Sequence, residues 1–534
     1  MSEKLIILGA GIMQGPVIRI AKELGFYAVA LDGSPSAPCI STADQFEQID
    51  LKDKEGIEAF ARSLQKAGDS IGIMTAGTDF SASVAWVAEK LGLPGIPYET
   101  ALNASDKSRM RECFRKAALP SPDFTTITAS DLPLSSDYKL PAADFPLVIK
   151  PVDNMGSRGC RRADSIEDLN EAAKAAIGFS RSGRAILEGY MEGPEFSVDA
   201  IVYHDEITIC GLADRHIFFP PYFIEMGHTM PTVIETEKQD AMLETFCAGV
   251  RALGIAGGKN IGAAKGDIKL TANGPMIGEI AARLSGGYMS GWTYPYSSGA
   301  QPIKGAILAA MGQKPQGLVP EKNWTCAERA FISIPGTVKT ISGIEQAKKR
   351  NHIKDVFLRI SEGGKVSFPE NNVTKCGNIL SCAPQRKGAV EAAEMAARSI
   401  LIKLDPADPQ TKEFLSSTAA FPPDAFQLTG EIKTALSHIP DFPIPHDGIT
   451  ASLGIFPFPA FTSSNLKDYM GRTIEENLEV IRLLTGFSLP LTEKNAENKV
   501  MLGHSFWAAF IRGGYQGAVY YIENLGINEK EQHS

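Results

Sequence analysis

The stretch that most restricts the fold is "KGDIKLTANGPMIGEIAARL", residues 265–284. Asn273-Gly274 between two alternating apolar runs marks a β-hairpin. A turn centred on Asn273 sets Asp267 across from Glu279, with Cβ atoms about 5 Å apart. Two facing carboxylates repel, and burying either alone is costly. A divalent cation between them removes both problems, and hard oxygen ligands suit Mg²⁺ carried on substrate phosphates.

Glu279, Ala281 and Arg283 share one strand face by the period of two, so the guanidinium falls beside the expected metal, where it can grip phosphate. Lys265 and Lys269 flank Asp267 on its face, while Ile268, Leu270, Met276 and Ile280 supply an apolar back. A surface hairpin of mixed charge is the plain alternative.

Further chemistry lies upstream. Lys150 ends the apolar strand "LVIKP", just before the glycine loop "DNMGSRG", a combination suited to cradling phosphate. Lys107 is a second candidate cation. In "ILEGYMEGPEFSVD", the Gly193-Pro194 bend can bring Glu188 and Glu195 to one ligand.

The 534 residues exceed one core and read as an α/β chain of several domains. Strands at 5–8, 27–32 and 71–76 alternate with helices, predicting a doubly wound parallel sheet over 1–104. A second unit, 105–318, carries the hairpin, with a lid at about 143–205. A small α+β unit follows at 319–404, in which "GAVEAAEMAARSILIKL" reads as one helix. A Pro/Phe-rich, then mostly helical extension covers 405–534 and shows no motif. "GAGIMQG" with Asp32 is similar to a dinucleotide fingerprint, but its glycines are spaced too widely, and any strand-to-helix turn needs such glycines.

A net charge of −9 argues against nucleic acid or anionic membrane as a partner. Eight cysteines without a C-x-x-C pair suggest reduced thiols. No run of about 18 apolar residues occurs, and the first residues match a signal peptide poorly. A cytoplasmic protein is expected.

In content and order, "ASDKSRMRECF", "LVIKP", the glycine loop, "ILEGYMEGPEFS" and "KGDIKL…GEIAARLSGG" resemble the ATP-grasp superfamily over about 101–312. The unit at 324–404 resembles the C-terminal subdomain of the L-amino-acid ligase branch, within a biotin-carboxylase-like architecture. The resemblance implies ATP and Mg²⁺ (or Mn²⁺) as cofactors. It also implies an ADP-forming carboxylate–amine ligase that works through an acyl phosphate on an amino acid or related small carboxylate.

By resemblance, Lys107 and Lys150 contact the ATP phosphates under a loop of Gly156, Ser157 and Gly159. Glu188, Tyr190 and Met191 frame adenine, Glu195 binds ribose, and Asp267 and Glu279 hold the metal. Arg283, Lys150 and Glu279 are the catalytic set. Glu225, His228, Arg283, Ser285, Gly286 and Gly287 line the carboxylate pocket. Ala281 stands where many members have Asn, so the number of Mg²⁺ ions stays open. The expected partners are small carboxylates and amines, and a homodimer is compatible with the reading. Three alternatives remain: a biotin-carboxylase or carbamoyl-phosphate-synthase type enzyme, a nucleotide-binding protein without turnover, and an NAD-dependent oxidoreductase. "RLSGGYMSGW" stands where biotin carboxylases carry "RxQVEH".

Overall fold

The structure is a computed structural model that describes residues 3–135, 138–142, 145–443, 452–491 and 499–525. Its contacts divide into two compact units. The first comprises Met1–Glu328, Glu370–Asn372 and Ser381–Val390; the second comprises Arg329–Pro369, Val373–Leu380 and Glu391–Ser534.

In the first unit, Gln45–Gln48, Tyr27–Asp32, Glu3–Leu8 and Ser70–Met74 lie in that order as a parallel sheet. Leu5, Ile7, Ala28 and Ala30 pack on Val17, Ile18 and Ala21 of the helix Gly15–Glu23. The opposite face, with Ile6, Leu8, Val29 and Leu31, meets Ile57, Ala61, Val87 and Ala88. Burial on both faces is why these strands read as unbroken apolar runs. The glycine turn closes on itself: Ala10 N–H donates to Asp32 (2.9 Å) and Gly11 N–H to Gln14 (3.0 Å), while Gln14 reaches the Ala76 carbonyl.

A second sheet, in the order Phe124–Thr128, Arg184–Gly189, Leu147–Pro151, Arg161–Ala163, is antiparallel throughout. Leu169, Ala172, Ala173 and Ala176 of the helix Ile166–Phe179 back it.

The strands Gly274–Ala281, Ile261–Thr271, Glu195–Tyr203, Glu206–Phe218 and Ile224–Met230 form the central antiparallel sheet. Met242, Phe246 and Val250 of the helix Thr236–Ala252 cover one face through Ile268, Ile277 and Ile280. The hairpin corrects the expected turn while keeping the expected pair. Near the turn Thr271 faces Gly274 and Ile268 faces Ile277, one residue out of the predicted register. A bulge at Gly278 then restores Asp267 opposite Glu279.

In the second unit, Gly336–Ser342 pairs with Lys365–Val366 and Leu401–Leu404. The expected helix through "ILIKL" therefore stops early. It spans Arg386–Ser399, and the next four residues form a strand whose Ile402 and Leu404 enter the core. The extension carries the helices Pro409–Ser416, Ile474–Thr485 and His504–Glu523 and a parallel strand pair, Ser452–Ile455 with Lys499–Leu502. Its core is aromatic, with Phe426, Phe458, Phe461, Phe506, Trp507 and Phe510 packed together. Among the described residues, no helix is long and apolar enough to cross a membrane.

Candidate active site

Asp106 caps the helix Lys107–Lys116, accepting from Ser108 N–H (2.9 Å) and Arg109 N–H (3.2 Å). Lys107 thus stands at a rigid helix start. Its Nζ donates to the Asn154 carbonyl at 2.8 Å and lies 3.6 Å from Glu279 Oε2. One turn later Arg111 is fully buried. Its Nε donates to Glu188 Oε1 (2.8 Å), and its Nη atoms donate to the Ile277 (3.2 Å) and Gly278 (2.6 Å) carbonyls beside the bulge. Lys150 Nζ sits 2.7 Å from Glu188 Oε2. Burial pushes the Glu188 carboxyl upward, but Arg111 and Lys150 outweigh it and hold the group below its usual range. With both oxygens so engaged, Glu188 locks the strand Arg184–Gly189 to the helix and to Lys150.

The acid pair leans on cations. Asp267 is held by Arg215 (2.9 Å) and Lys265. Arg215 also binds Glu225 (2.8 Å) and Glu195, so one guanidinium ties three carboxylates together. Lys269 donates to the Met191 carbonyl (3.1 Å) and lies 3.9 Å from Glu195. At Glu279 burial acts upward, yet Lys107, then Lys265, Lys150 and Arg283, pull the pKa down to about 2.

The residues fit a hard divalent ion. Two carboxylates face each other across the hairpin, and buried Asp267 Oδ1, 2.9 Å from Arg215, takes part in that ion pair without an aligned hydrogen bond. Among the described residues, no three His, Cys, Asp or Glu side chains are grouped to hold an ion. Its remaining ligands would have to come from phosphate and water, as is usual for Mg²⁺.

Arg283 is 8% exposed; its Nη1 donates to the Leu284 carbonyl (3.1 Å), and its buried Nε has no hydrogen-bond partner. Ser285 turns away, its N–H and hydroxyl both donating to buried Asp199. Gly286 packs on Gly77, leaving a Cβ only 3.3 Å from that backbone. His228 is wholly buried, with Nε2 on Thr293 Oγ1 (2.8 Å) and Nδ1 3.5 Å from Glu328.

The loop after Lys150 carries left-handed backbone at Gly156 (φ 68°), Ser157 (φ 59°) and Gly159 (φ 70°). A Cβ at 159 would meet Phe179 at 2.9 Å. Tyr190 stacks on Phe223 (6.4 Å) beneath Arg162 and Lys269. Contacts relayed by Arg111, Arg215 and Lys269 therefore join Lys107, Lys150, Glu188, Tyr190, Met191, Glu195, Glu225, Asp267 and Glu279. Ser285, Gly286 and His228 make other contacts.

Arg111 and Arg215 were not anticipated. Arg111 was legible as the residue four after Lys107 on one helix face. Arg215 was not, because its facing of Glu195 depends on a register shift at Ile209/Gly211.

Residues 143–291 match the ATP-grasp domain, and 330–405 match the L-amino acid ligase C-terminal domain 2. The chain carries both domains. An ATP-grasp domain holds the acid pair. It is 23% identical to the uncharacterized protein y4rH of Sinorhizobium fredii over 73% of this chain and 80% of that one. With carnosine synthase 1 of Gallus gallus it shares 22% identity over 58% of its own length, and the match spans only 35% of that protein. Among solved structures, the L-amino acid ligase from Bacillus licheniformis aligns over 76% of this chain and 99% of its own, with a TM-score of 0.64 at 22% identity. A biotin carboxylase from Campylobacter jejuni aligns over 75% and 92%, with a TM-score of 0.55 at 18% identity. Those structural likenesses show the fold over about three quarters of the chain.

Proposed function

We propose that the chain is an ADP-forming carboxylate–amine ligase that activates an amino acid or related small carboxylate as its acyl phosphate. The observation carrying this reading is Glu279, held ionised by Lys107, Lys265, Lys150 and Arg283 while facing Asp267. That density of cations suits a polyphosphate and an attacking carboxylate better than a neutral substrate.

In this reading Lys107 and Lys150 hold the ATP phosphates beneath the loop Gly156–Gly159. Adenine lies against the backbone of 188–191 beside Tyr190, and Glu195 takes the ribose hydroxyls. Asp267 and Glu279 hold Mg²⁺, which when bound neutralises charge building on the transferred phosphoryl group. The substrate carboxylate oxygen attacks the γ-phosphorus, and ADP leaves. The amine nitrogen then attacks the acyl carbon, phosphate departs, and an amide remains. Arg283, with its buried Nε unengaged, stabilises the phosphoryl oxygens in both steps. Glu225 and the loop Ser285–Gly287 shape the carboxylate pocket, and His228 stiffens it from within the core.

The test is ADP and phosphate release with amino acids offered in pairs, followed by mass spectrometry of products. Amide formed in step with ADP is expected. ADP release that depends on bicarbonate and yields no amide overturns the reading.

A further inference from the structure

Residues Glu370–Asn372 cluster with the first unit, although their chain neighbours belong to the second. Asn372 there touches two elements far away in sequence. Its N–H donates to the Gly156 carbonyl (3.0 Å), and its Nδ2 reaches Ser157 Oγ (3.3 Å). Its Oδ1 accepts from Glu225 N–H (2.8 Å). Two residues earlier, Glu370 is hydrogen-bonded to the Tyr222 side chain. Tyr222 forms an isolated bridge to Arg161, and the Pro221 carbonyl accepts from Arg162 N–H (2.8 Å).

The short strap therefore grips the glycine loop directly and the adjoining lid strand through Tyr222. Ser157 is a non-glycine residue in the left-handed region, a conformation that persists only where its surroundings impose it. Asn372 supplies such a constraint by holding the carbonyl before Ser157 and the hydroxyl on it. The same side chain fixes the backbone of Glu225, whose carboxylate lies on Arg215 and through it on Asp267.

We propose that Asn372 is a positioning residue that latches the glycine loop shut and ties its closure to the strand carrying Glu225. Its catalytic consequence rests on the ligase reading above. A shut loop keeps water from the acyl carbon, where water attack would expel phosphate and regenerate the carboxylate, wasting one ATP.

The test uses the full chain with Asn372→Ala and Asn372→Asp. The Asp variant keeps an acceptor for Glu225 N–H and can no longer donate to Ser157 Oγ, so that contact survives only if the Ser157 hydroxyl turns to donate to the carboxylate. The first readout is trypsin cleavage after Arg158 and Arg161, with and without Mg²⁺ and a non-hydrolysable ATP analogue. Nucleotide should protect the wild type, and protection should fall about tenfold in Asn372→Ala, with an intermediate loss in Asn372→Asp. The second readout is ADP formed per amide, which should rise by about the same factor while the melting temperature stays near that of the wild type. A purely structural role for Asn372 would lower the melting temperature and leave this ratio unmoved.

Equal protection in wild type and both variants overturns the latch, whatever the amide yield. Protection lost only in the variants, with no amide from the wild type, supports the latch and overturns the ligase reading.

Discussion

Both the acid-pair region of the first unit and the C-terminal extension bury charge, but they satisfy it differently. In the extension the buried cations are spent on backbone. Arg472 donates to the Arg398 carbonyl (2.6 Å) and pairs with Asp468 (3.3 Å). Arg512 donates to the Phe414 (3.2 Å) and Pro422 (2.8 Å) carbonyls, pairs with Asp424 (2.8 Å), and stacks over Phe414 at 4.4 Å. The Arg398 and Phe414 carbonyls lie in the last turns of the helices Arg386–Ser399 and Pro409–Ser416, and the Pro422 carbonyl lies in coil, so a buried guanidinium supplies donors that helix ends and coil lack. Around Asp267 and Glu279 the cations also reach backbone, but several of them converge on a few carboxylates, and Glu279 is driven to a pKa of about 2. Burial of charge alone does not mark a functional site. What sets the first region apart is two carboxylates facing each other among several cations.

The contrast is tested hardest by Glu279→Gln. Removing this charge should lower kcat/KM for ADP release by about a hundredfold or more, as loss of a transition-state electrostatic contact does. The melting temperature should also fall, because Lys107, Lys265, Lys150 and Arg283 lose their counter-charge, so the rate is compared per folded molecule. Unchanged kinetics would remove the metal assignment.

Paired substitutions at Arg111 and Arg472 come next. Arg111→Met leaves Glu188 buried with only Lys150, so it should cost about 3 kcal/mol in urea unfolding and also depress activity, since Lys150 loses its fixed counter-ion geometry. Arg472→Met should cost a similar amount, yet leave kcat/KM within about twofold per folded molecule, because none of its contacts lies in the acid-pair cluster. Equal activity losses from the two would abolish the distinction.

Much of the first unit was legible because its signals are local. Apolar runs broken by glycine turns announced the parallel sheet, and Asn273-Gly274 announced the hairpin that opposes the two acids. Even there the correct pair came from an incorrect turn, rescued by a bulge at Gly278 that strand alternation does not reveal. Arg215, Asp199 and Asn372 stayed hidden since each acquires its partner from a segment placed by tertiary structure. The run "LIKL" reads as a helix tail and folds as a strand, because short apolar stretches fit either period. The architecture of the extension was unreadable for a different reason: its core is an aromatic cluster spread over helices and coil, with no period to follow.

Asp199 offers the finest division between the two kinds of buried charge, because it adjoins the cluster but is hydrogen-bonded to neutral Ser285. Burial dominates there and raises its pKa from 3.8 to about 6, against the opposing pull of Ser285, Lys265 and Arg283. The folded state thus holds this proton more tightly than the unfolded chain does. The resulting stabilisation is complete below pH 3.8 and is lost as the pH rises through about 6. Asp199→Asn removes the titration while keeping the shape. Wild type should therefore lose about 2 kcal/mol of stability relative to Asp199→Asn between pH 4 and pH 7 in urea titrations. A gap that stays constant over that range would mean that Lys265 and Arg283 neutralise Asp199 as fully as they do Glu279, and the division between charge-paired and neutrally bonded acids would fail at this residue.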